Sequence, residues 1–319
     1  MSSRTAVLDA LRNDQARVVS GEDVAGELGI SRAAVAKHIR ALRDAGYVIE
    51  SVAGSGYRLV SAPDAPIPAE VARLVRSDFW HRFEGGGVTD STNDDARRLA
   101  EAGVAQGAVV LASAQRQGRG RLGRSWMSPE GGVYLSAVLR PPLSPAELGP
   151  LPLVIALGVA RGVASIGASP QLKWPNDVLI DGGKVAGILL ELSAESDAVA
   201  WVVAGVGVNV DPLGQDLSAP AAASLRDAGV RANRPQVAAS VLDGIAEAYA
   251  EFLGVGFGPL VAEWQARDAL AGCDVEVRDL AGEIVASGRA SGITPDGRLL
   301  LSNADGQFAV ATGDVTLRR

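Results

Sequence analysis

GRGRLGRSW, residues 118–126, sets three arginines (Arg119, Arg121, Arg124) among three glycines (Gly118, Gly120, Gly123) and ends on the indole of Trp126. Glycine allows positive φ and a close backbone approach to a ligand, at a cost in ordering entropy. Arginine supplies planar, permanently charged donors that match phosphate and carboxylate oxygens. Together they predict a loop that is mobile when empty and ordered around an anion, with a nucleotide as its natural guest. It is not a Walker phosphate loop, because no Gly-Lys-Ser/Thr follows at the required spacing.

Three further patches lie C-terminal to the loop. KWPNDV, residues 173–178, places Lys173 and Asp177 on either side of a proline that imposes an extended turn. This arrangement either aims both charges into a cleft or forms an ordinary hairpin with exposed charges. DGGKVAGILLE, residues 181–191, puts Lys184 after a Gly-Gly turn at the start of an apolar strand. GVGVNV, residues 205–210, is a buried strand ending in the polar Asn209, whose amide needs a partner such as a ligand or a metal-bound water. The one cysteine, Cys273, lies far from these patches, neither His38 nor His81 sits in a motif, and no Gly-x-Ser-x-Gly elbow exists. Arginines, lysines and one aspartate without a nucleophile point to phosphate chemistry run by positioning and charge stabilisation.

Length and patterning predict several domains in 319 residues. In residues 1–62 the periodicity gives a first helix with Val7, Leu8 and Leu11, a short helix over 22–28 stopped by Gly29, and a helix over 32–45 capped by Ser31. Strands over 47–51 and 56–60 complete a winged helix-turn-helix. The helix over 22–28 carries Glu22, Asp23 and Glu27, whereas the next carries Arg32, Lys37, Arg40 and Arg43 against Asp44 alone. Bases gathered on the helix that would enter a major groove are a DNA-binding footprint. This unit is nearly neutral, with eight bases and seven acids in residues 1–60, and the remaining chain is net −8, so any DNA contact is local to it.

Residues 63–78 read as a Pro/Ala-rich linker. Residues 79–268 mix strands, over 109–113, 132–139, 172–173, 178–180, 185–192 and 200–206, with helices over 93–102, 150–162, 235–252 and 259–267. Short strands separated by Asp-Gly turns predict a small all-β domain over 269–319. The fold class is α+β. A single cysteine suits a reducing cytoplasm, and charges near Met1 exclude a signal peptide. The apolar runs over 151–160 and 199–210 are too short to span a bilayer, and one cysteine with two histidines excludes a Cys/His zinc site.

GRGRLGRSW, KWPNDV, GGKVAGILLE and GVGVNV, preceded by DSTND at residues 90–94, resemble the motif set of bacterial biotin protein ligases. ELGISRAAVAKHIRALRDAGY, residues 27–47, resembles the class that also represses the biotin operon, and the likeness covers essentially the whole chain. The resemblance implies a class II synthetase-like α/β catalytic domain and an SH3-like C-terminal β-barrel. It also implies a two-step, AMP-forming reaction. The carboxylate of biotin attacks the α-phosphate of Mg2+-bound ATP, giving biotinyl-5′-AMP and pyrophosphate. A lysine of the biotin carboxyl carrier protein of acetyl-CoA carboxylase then attacks the acyl carbon. As corepressor, the adenylate would promote a homodimer that binds a two-fold operator through Ser31, Arg32, Lys37, His38 and Arg40.

The same resemblance implies site residues. Ser91, Thr92, Asn93 and Gln115 would hold the ureido head, with Arg119, Gly120 and Arg121 nearby. Lys184 would stand at the carboxylate and phosphate, and Asn176 and Asn209 at the adenylate with Arg119 and Arg121. Trp126 would cover the adenine or the valeryl chain, or simply pack the base of the loop. Arg124 would retain the adenylate, Lys173 would offset charge on phosphorus, and Asp177 would orient Mg2+ or the incoming amine. Many relatives carry a second arginine where this chain has Leu122, so adenylation should survive while loop ordering or nucleotide affinity differs. Two alternatives remain: a biotin-sensing repressor without ligase activity, and a lipoate–protein ligase, which shares the catalytic fold.

Overall fold

The computed structural model describes residues 3–13, 18–195, 197–212, 222–279 and 281–317. The chain divides into two units, Met1–Asp64 and Ala65–Arg319.

The first unit is built from helices α1 (Ser3–Asn13), α2 (Gly21–Leu28) and α3 (Arg32–Asp44) followed by the hairpin β1 (Val48–Val52) and β2 (Gly56–Ser61). Ser20 caps α2 by accepting from the Glu22 and Asp23 amides, and Gly29 ends it in the left-handed conformation. The Ser31 hydroxyl accepts from the Ala34 amide 3.1 Å away and so starts α3. Val7, Leu11, Val24, Val35, Ile39 and Leu42 are buried between the three helices, as their spacing requires. The winged helix-turn-helix expected from residues 1–62 is therefore present.

The second unit begins earlier than expected. Residues 65–78 are not a free linker: α4 (Pro68–Leu74) buries Val71 completely, and Asp243 accepts from the Arg76 and Ser77 amides. A Pro/Ala-rich composition suggested flexibility, but Pro68 sits at the start of the helix, where its missing N–H costs nothing.

The following elements are β3 (Arg82–Gly85), β4 (Val88–Thr89), α5 (Thr92–Glu101), β5 (Ala108–Ala112), β6 (Ala114–Gln115), β7 (Gly132–Leu139) and α6 (Leu151–Ser165). After them come β8 (Gln171–Lys173), β9 (Asp177–Ile180), β10 (Gly183–Ala194), β11 (Val199–Asn209), α7 (Arg234–Val255) and α8 (Val261–Gln265). Seven strands form one mixed sheet in the order β3-β5-β7-β11-β10-β9-β8. Alternation sets its two faces: Val202, Ala204, Val206 and Val208 join the main core with α6 and α7, whereas Val203 packs with Ala96 and Ala100 of α5. Farther along β11, Gly205 and Gly207 fall on this second face, which α5 covers only in part.

The two core helices pack unusually close. A Cβ on Gly158 or Gly162 would lie 2.6 Å from the Ile245 Cα or 2.4 Å from the Ser240 carbonyl oxygen, so only glycine fits. With its preceding turn, α6 forms a 21-residue helical stretch, Pro145–Ser165, that by length and composition could cross a membrane. The shorter run read from the sequence missed this. Yet 72% of its apolar window is buried inside the protein, where it serves as a core helix.

The last fifty residues form β12 (Asp274–Arg278), β13 (Ile284–Ile293), β14 (Leu299–Asn303), β15 (Gly306–Val310) and β16 (Asp314–Leu317). They make an antiparallel sheet in the order β15-β14-β13-β12-β16. Its apolar face (Val275, Val277, Leu299, Leu301, Val315) belongs to the same continuous core as α6 and α7. The Trp174 indole donates to the Gly297 carbonyl at 3.0 Å. The boundary at residue 268 thus separates two sheets but not two cores.

Candidate functional site

A cleft of about 340 Å³ opens on the face of the large sheet that α5 leaves bare, walled by the arginine-glycine loop. At its deep end stands the start of α5. Ser91 occupies the N-cap position yet makes no capping hydrogen bond, and it is buried in the cleft wall. Gln115 is held by its neighbours: its Oε1 accepts from the Thr92 amide at 2.8 Å and the Thr92 hydroxyl at 3.1 Å, while its Nε2 donates to Ser128 at 2.9 Å. Beneath them the Ser136 hydroxyl lies 2.7 Å from Thr92 Oγ1 and 2.6 Å from Asn93 Oδ1. These neutral groups orient one another before any ligand arrives.

The floor is made of glycines. Gly187 of β10 faces Gly207 of β11 across the ladder, and Gly205 lies two residues along. A Cβ on Gly207 would come within 2.4 Å of Trp126 Nε1, and one on Gly205 within 2.1 Å of Asn93 Oδ1. The Trp126 ring therefore lies directly on the sheet. Its Nε1 is buried without a partner, and the Lys184 ammonium stands 5.0 Å from the ring centroid.

Lys184 also pairs with Asp177 at 2.5 Å. The hairpin between them turns at Asp181 and Gly182, both with positive φ, rather than at a Gly-Gly pair. Asn176 is engaged with the backbone: its Nδ2 donates to the Ile188 carbonyl at 2.7 Å. Asn209 donates to the Lys184 and Ala223 carbonyls, both at 3.2 Å, while its buried Oδ1 is left without a partner at the cleft wall. A ligand N–H would satisfy it.

The three loop arginines differ in their surroundings. Arg119 forks onto both oxygens of Asp94, at 2.7 and 2.9 Å, and also meets Glu191 at 3.1 Å. The Asp94 hydrogen bonds raise the Arg119 pKa, and in return Arg119 lowers that of Asp94. Glu191 accepts from Asn93 as well, at 3.0 Å, so Arg119 ties the loop to α5 and β10. Arg121 is drawn inward: burial lowers its pKa, partly offset by Asp314 and Asp177, and its Nη1 lies 3.5 Å from Asn176 Oδ1. Arg124 points outward, with its side chain 62% exposed, and pairs with Asp314 of β16 at 2.6 Å.

Every site residue predicted for this unit lines the cleft except Lys173. Lys173 faces Asp177 across the β8–β9 register but does not reach the cleft wall. Asp177 pairs with Lys184 at the cleft wall, and no group of three His, Cys, Asp or Glu converges among the described residues. Glu191, Ser128, Ser136 and Asp314 escaped the sequence reading. Only Glu191 carried a signal, as the one charge within the apolar strand expected over 185–192.

The chain matches three family models: "Biotin/lipoate A/B protein ligase family" over residues 85–209, "HTH domain" over 4–58 and "Biotin protein ligase C terminal domain" over 272–318. It is 34% identical to the bifunctional ligase/repressor BirA of Bacillus subtilis (strain 168), over 94% of each chain. The chain belongs to the biotin protein ligases. The biotin–[acetyl-CoA-carboxylase] ligase of Paracoccus denitrificans is 38% identical, covering 71% of this chain and 97% of that protein. Among solved structures, the biotin protein ligase of Aquifex aeolicus in complex with biotin and ATP superposes with a TM-score of 0.64 at 30% identity. It covers 75% of this chain and 100% of its own.

This biotin protein ligase carries a helix-turn-helix unit ahead of the catalytic fold. Its helix α3 exposes Arg32, Lys37 and Arg40, and His38 is half-buried beside them. Ser31 is engaged as the helix cap. Arg43, counted with the basic set, is instead tied to the wing: it donates to the Ile49 carbonyl at 2.6 and 2.8 Å and to the Ser51 hydroxyl at 2.9 Å. Arg32 also meets Glu22 of α2 at 3.8 Å, so Lys37 and Arg40 are the cations of α3 most open to a phosphate backbone.

Proposed function

We propose that this chain is a biotin–[acetyl-CoA-carboxylase] ligase that also represses transcription through its winged helix. One observation carries the ligase reading: a single cleft joins a neutral, mutually oriented polar end (Ser91, Thr92, Gln115) to a cationic end (Arg121, Lys184) across a glycine floor. Hydroxyls and an amide suit the uncharged ureido ring of biotin, and the cations suit its carboxylate and the α-phosphate of ATP.

In adenylation the biotin carboxylate attacks the α-phosphate and pyrophosphate leaves. Lys184, held over the Trp126 face by Asp177, and Arg121 offset the negative charge that develops on phosphorus. Both are half-buried, which weakens the screening of their charge by water. Retention of the adenylate belongs to Arg121 rather than to Arg124, because Arg121 is the loop arginine that turns inward. Arg119 acts through the fold of the loop. Asn209 Oδ1 is the acceptor that an adenine amino group would meet. Magnesium would enter with the phosphates of the nucleotide, without a protein cage of its own. The acceptor is a lysine of the biotin carboxyl carrier protein, reached in the reducing cytoplasm that a single cysteine suits.

Incubation with ATP, biotin and carrier protein should give a biotinylated carrier, with AMP and pyrophosphate as products. No biotinylation at saturating substrate would leave only a biotin-sensing repressor. Preference for lipoate in competition would make the chain a lipoate ligase.

For the repressor role, Lys37→Ala and Arg40→Ala should each weaken operator binding and lower the salt dependence by about one counterion. Unchanged affinity and salt slope in the double variant would refute α3 as the recognition helix. Biotinyl-5′-AMP would act as corepressor by promoting a homodimer. Beyond Ile188, β10 has no partner strand on its outer edge among the described residues, and Leu192 is exposed there, so a second copy could extend the sheet. Sedimentation with and without biotin and ATP tests this.

A further inference from the structure

Beneath the neutral end of the cleft, Glu191, Asn93, Ser136 and Thr92 form an unbroken chain of polar contacts. Asn93 Nδ2 donates to the Glu191 carboxylate at 3.0 Å, Ser136 Oγ lies 2.6 Å from Asn93 Oδ1, and Thr92 Oγ1 lies 2.7 Å from Ser136 Oγ. Asn93, Ser136 and Thr92 are buried, and Glu191 is half-buried. Ser136 of β7 faces Gly205 of β11 across the ladder, and the amide of Asn93 fills the space that a side chain on Gly205 would take.

One arrangement of protons satisfies every contact. A carboxylate only accepts, so Glu191 fixes the Asn93 amide with Nδ2 toward itself and Oδ1 toward Ser136. Oδ1 carries no proton, so it takes the proton of the Ser136 hydroxyl. Ser136 Oγ then accepts from Thr92, whose one proton is held by Ser136 and, at the longer distance of 3.1 Å, by Gln115 Oε1. Thr92 lines the cleft and is left with lone pairs alone for a ligand. We propose that Glu191 is a specificity-determining positioning residue. Acting through Asn93 and Ser136, it makes Thr92 an acceptor, so this end of the cleft selects a ligand with an N–H at that point and rejects one with an oxygen there. This rests on the ligase reading above, with the cyclic urea as the ligand. Two acceptors that face each other in a buried site leave both unsatisfied, which is where polar mismatch costs most.

Glu191→Gln should reverse the order. Arg119 also meets Glu191, at 3.1 Å, and its charge claims the one remaining carbonyl oxygen. The new amide nitrogen then faces Asn93, whose own amide turns over, and the Thr92 proton is released to the cleft. Ser136→Ala releases it directly. The probes are biotin and its two cyclic carbamates, each with oxygen in place of one ureido N–H, titrated calorimetrically into the full-length protein. For the parent, one carbamate should bind on the order of a hundredfold more weakly than biotin. In each variant that ratio should fall at least tenfold, whatever happens to the affinity for biotin itself. A ratio within twofold of the parental one in both variants would overturn the relay, because structural damage weakens both ligands alike. Equal binding of biotin and both carbamates by the parent would overturn it too. Biotin binding by the parent without biotin-dependent ATP–pyrophosphate exchange would overturn the ligase reading alone, and no binding of biotin would overturn both. Variants at opposite ends of the relay keep the test decisive if one fails to fold.

Discussion

The Arg124 guanidinium stands 2.6 Å from the Asp314 carboxylate, joining the arginine-glycine loop to the first residue of β16. The residues lie 190 positions apart in the chain. Next to this pair, the Gly313 carbonyl lies 3.4 Å from Arg121 Nη1, so two of the three loop arginines touch the C-terminal sheet. A loop that would otherwise be free over its glycines is thus moored at its outer end, while Arg119 moors it to α5.

Asp314→Asn should loosen that mooring without unfolding the protein. Exposed ion pairs contribute about 0.2–1 kcal/mol, so the urea midpoint should scarcely move. Cleavage by trypsin after Arg121 and Arg124 should become several-fold faster in the empty protein. Biotin with ATP should restore protection. Equal cleavage rates in both proteins would show that the pair does not order the loop.

Gly207→Ala should displace the Trp126 ring, since its methyl would sit 2.4 Å from the indole nitrogen. Misplacement of a site group by about 1 Å can cost on the order of a hundredfold in rate, so biotin-dependent pyrophosphate exchange should fall tenfold to a hundredfold. Far-ultraviolet circular dichroism should be unchanged. Full exchange activity would mean that the ring is not part of the working site.

Leu122 adopts φ 61°, ψ 30°, the left-handed region that favours glycine. For other residues this conformation costs roughly 1–2 kcal/mol, so Leu122→Gly should leave stability unchanged or raise it slightly. Leu122→Val, β-branched, should disorder the turn Arg121–Gly123 and raise the KM for ATP with little effect on the melting temperature. Steady-state kinetics on the two variants check this; equal KM values would sink it.

Asp268 is half-buried, with its Oδ2 atom fully enclosed, where the catalytic part meets the C-terminal sheet. Burial pushes its carboxyl from 3.8 up to about 6, and its Oδ2 has no partner, although Oδ1 accepts from the Leu270 amide at 2.8 Å. Because the folded-state pKa is raised, the contribution of this group to stability is full below pH 3.8. It declines as pH rises and is lost above about pH 6. Asp268→Asn keeps the acceptor and removes the ionisation. It should therefore gain about 2–3 kcal/mol over the parent at pH 7, and the gain should vanish near pH 4. Urea titrations at both pH values measure it; an equal difference at the two would refute the assignment.

Much of the fold was legible in local pattern. The Ser31 cap, the helical spacing of Val35, Ile39 and Leu42, and the Asp-Gly turns of the last sheet each state a backbone preference within a few residues. The motif residues of the cleft were legible as residue types. Their division of labour was not. Arg119, Arg121 and Arg124 look alike in the chain, and only their neighbours from α5, β9, β10 and β16 separate a strut, an inward cation and an outer mooring. Lys173 and Lys184 looked equivalent too, yet strand pairing brings only the second to the cleft.

The alternation of Gly205 and Gly207 with valines read simply as a buried strand. That those glycines are the space occupied by Asn93 and Trp126 depends on a face that exists only once β10 and β11 pair and α5 covers half the sheet. Sequence by itself determined the elements, because propensity, capping and periodicity act over a few residues. Tertiary structure alone decided which charges meet, because ion pairing and close packing depend on distance in space and not along the chain.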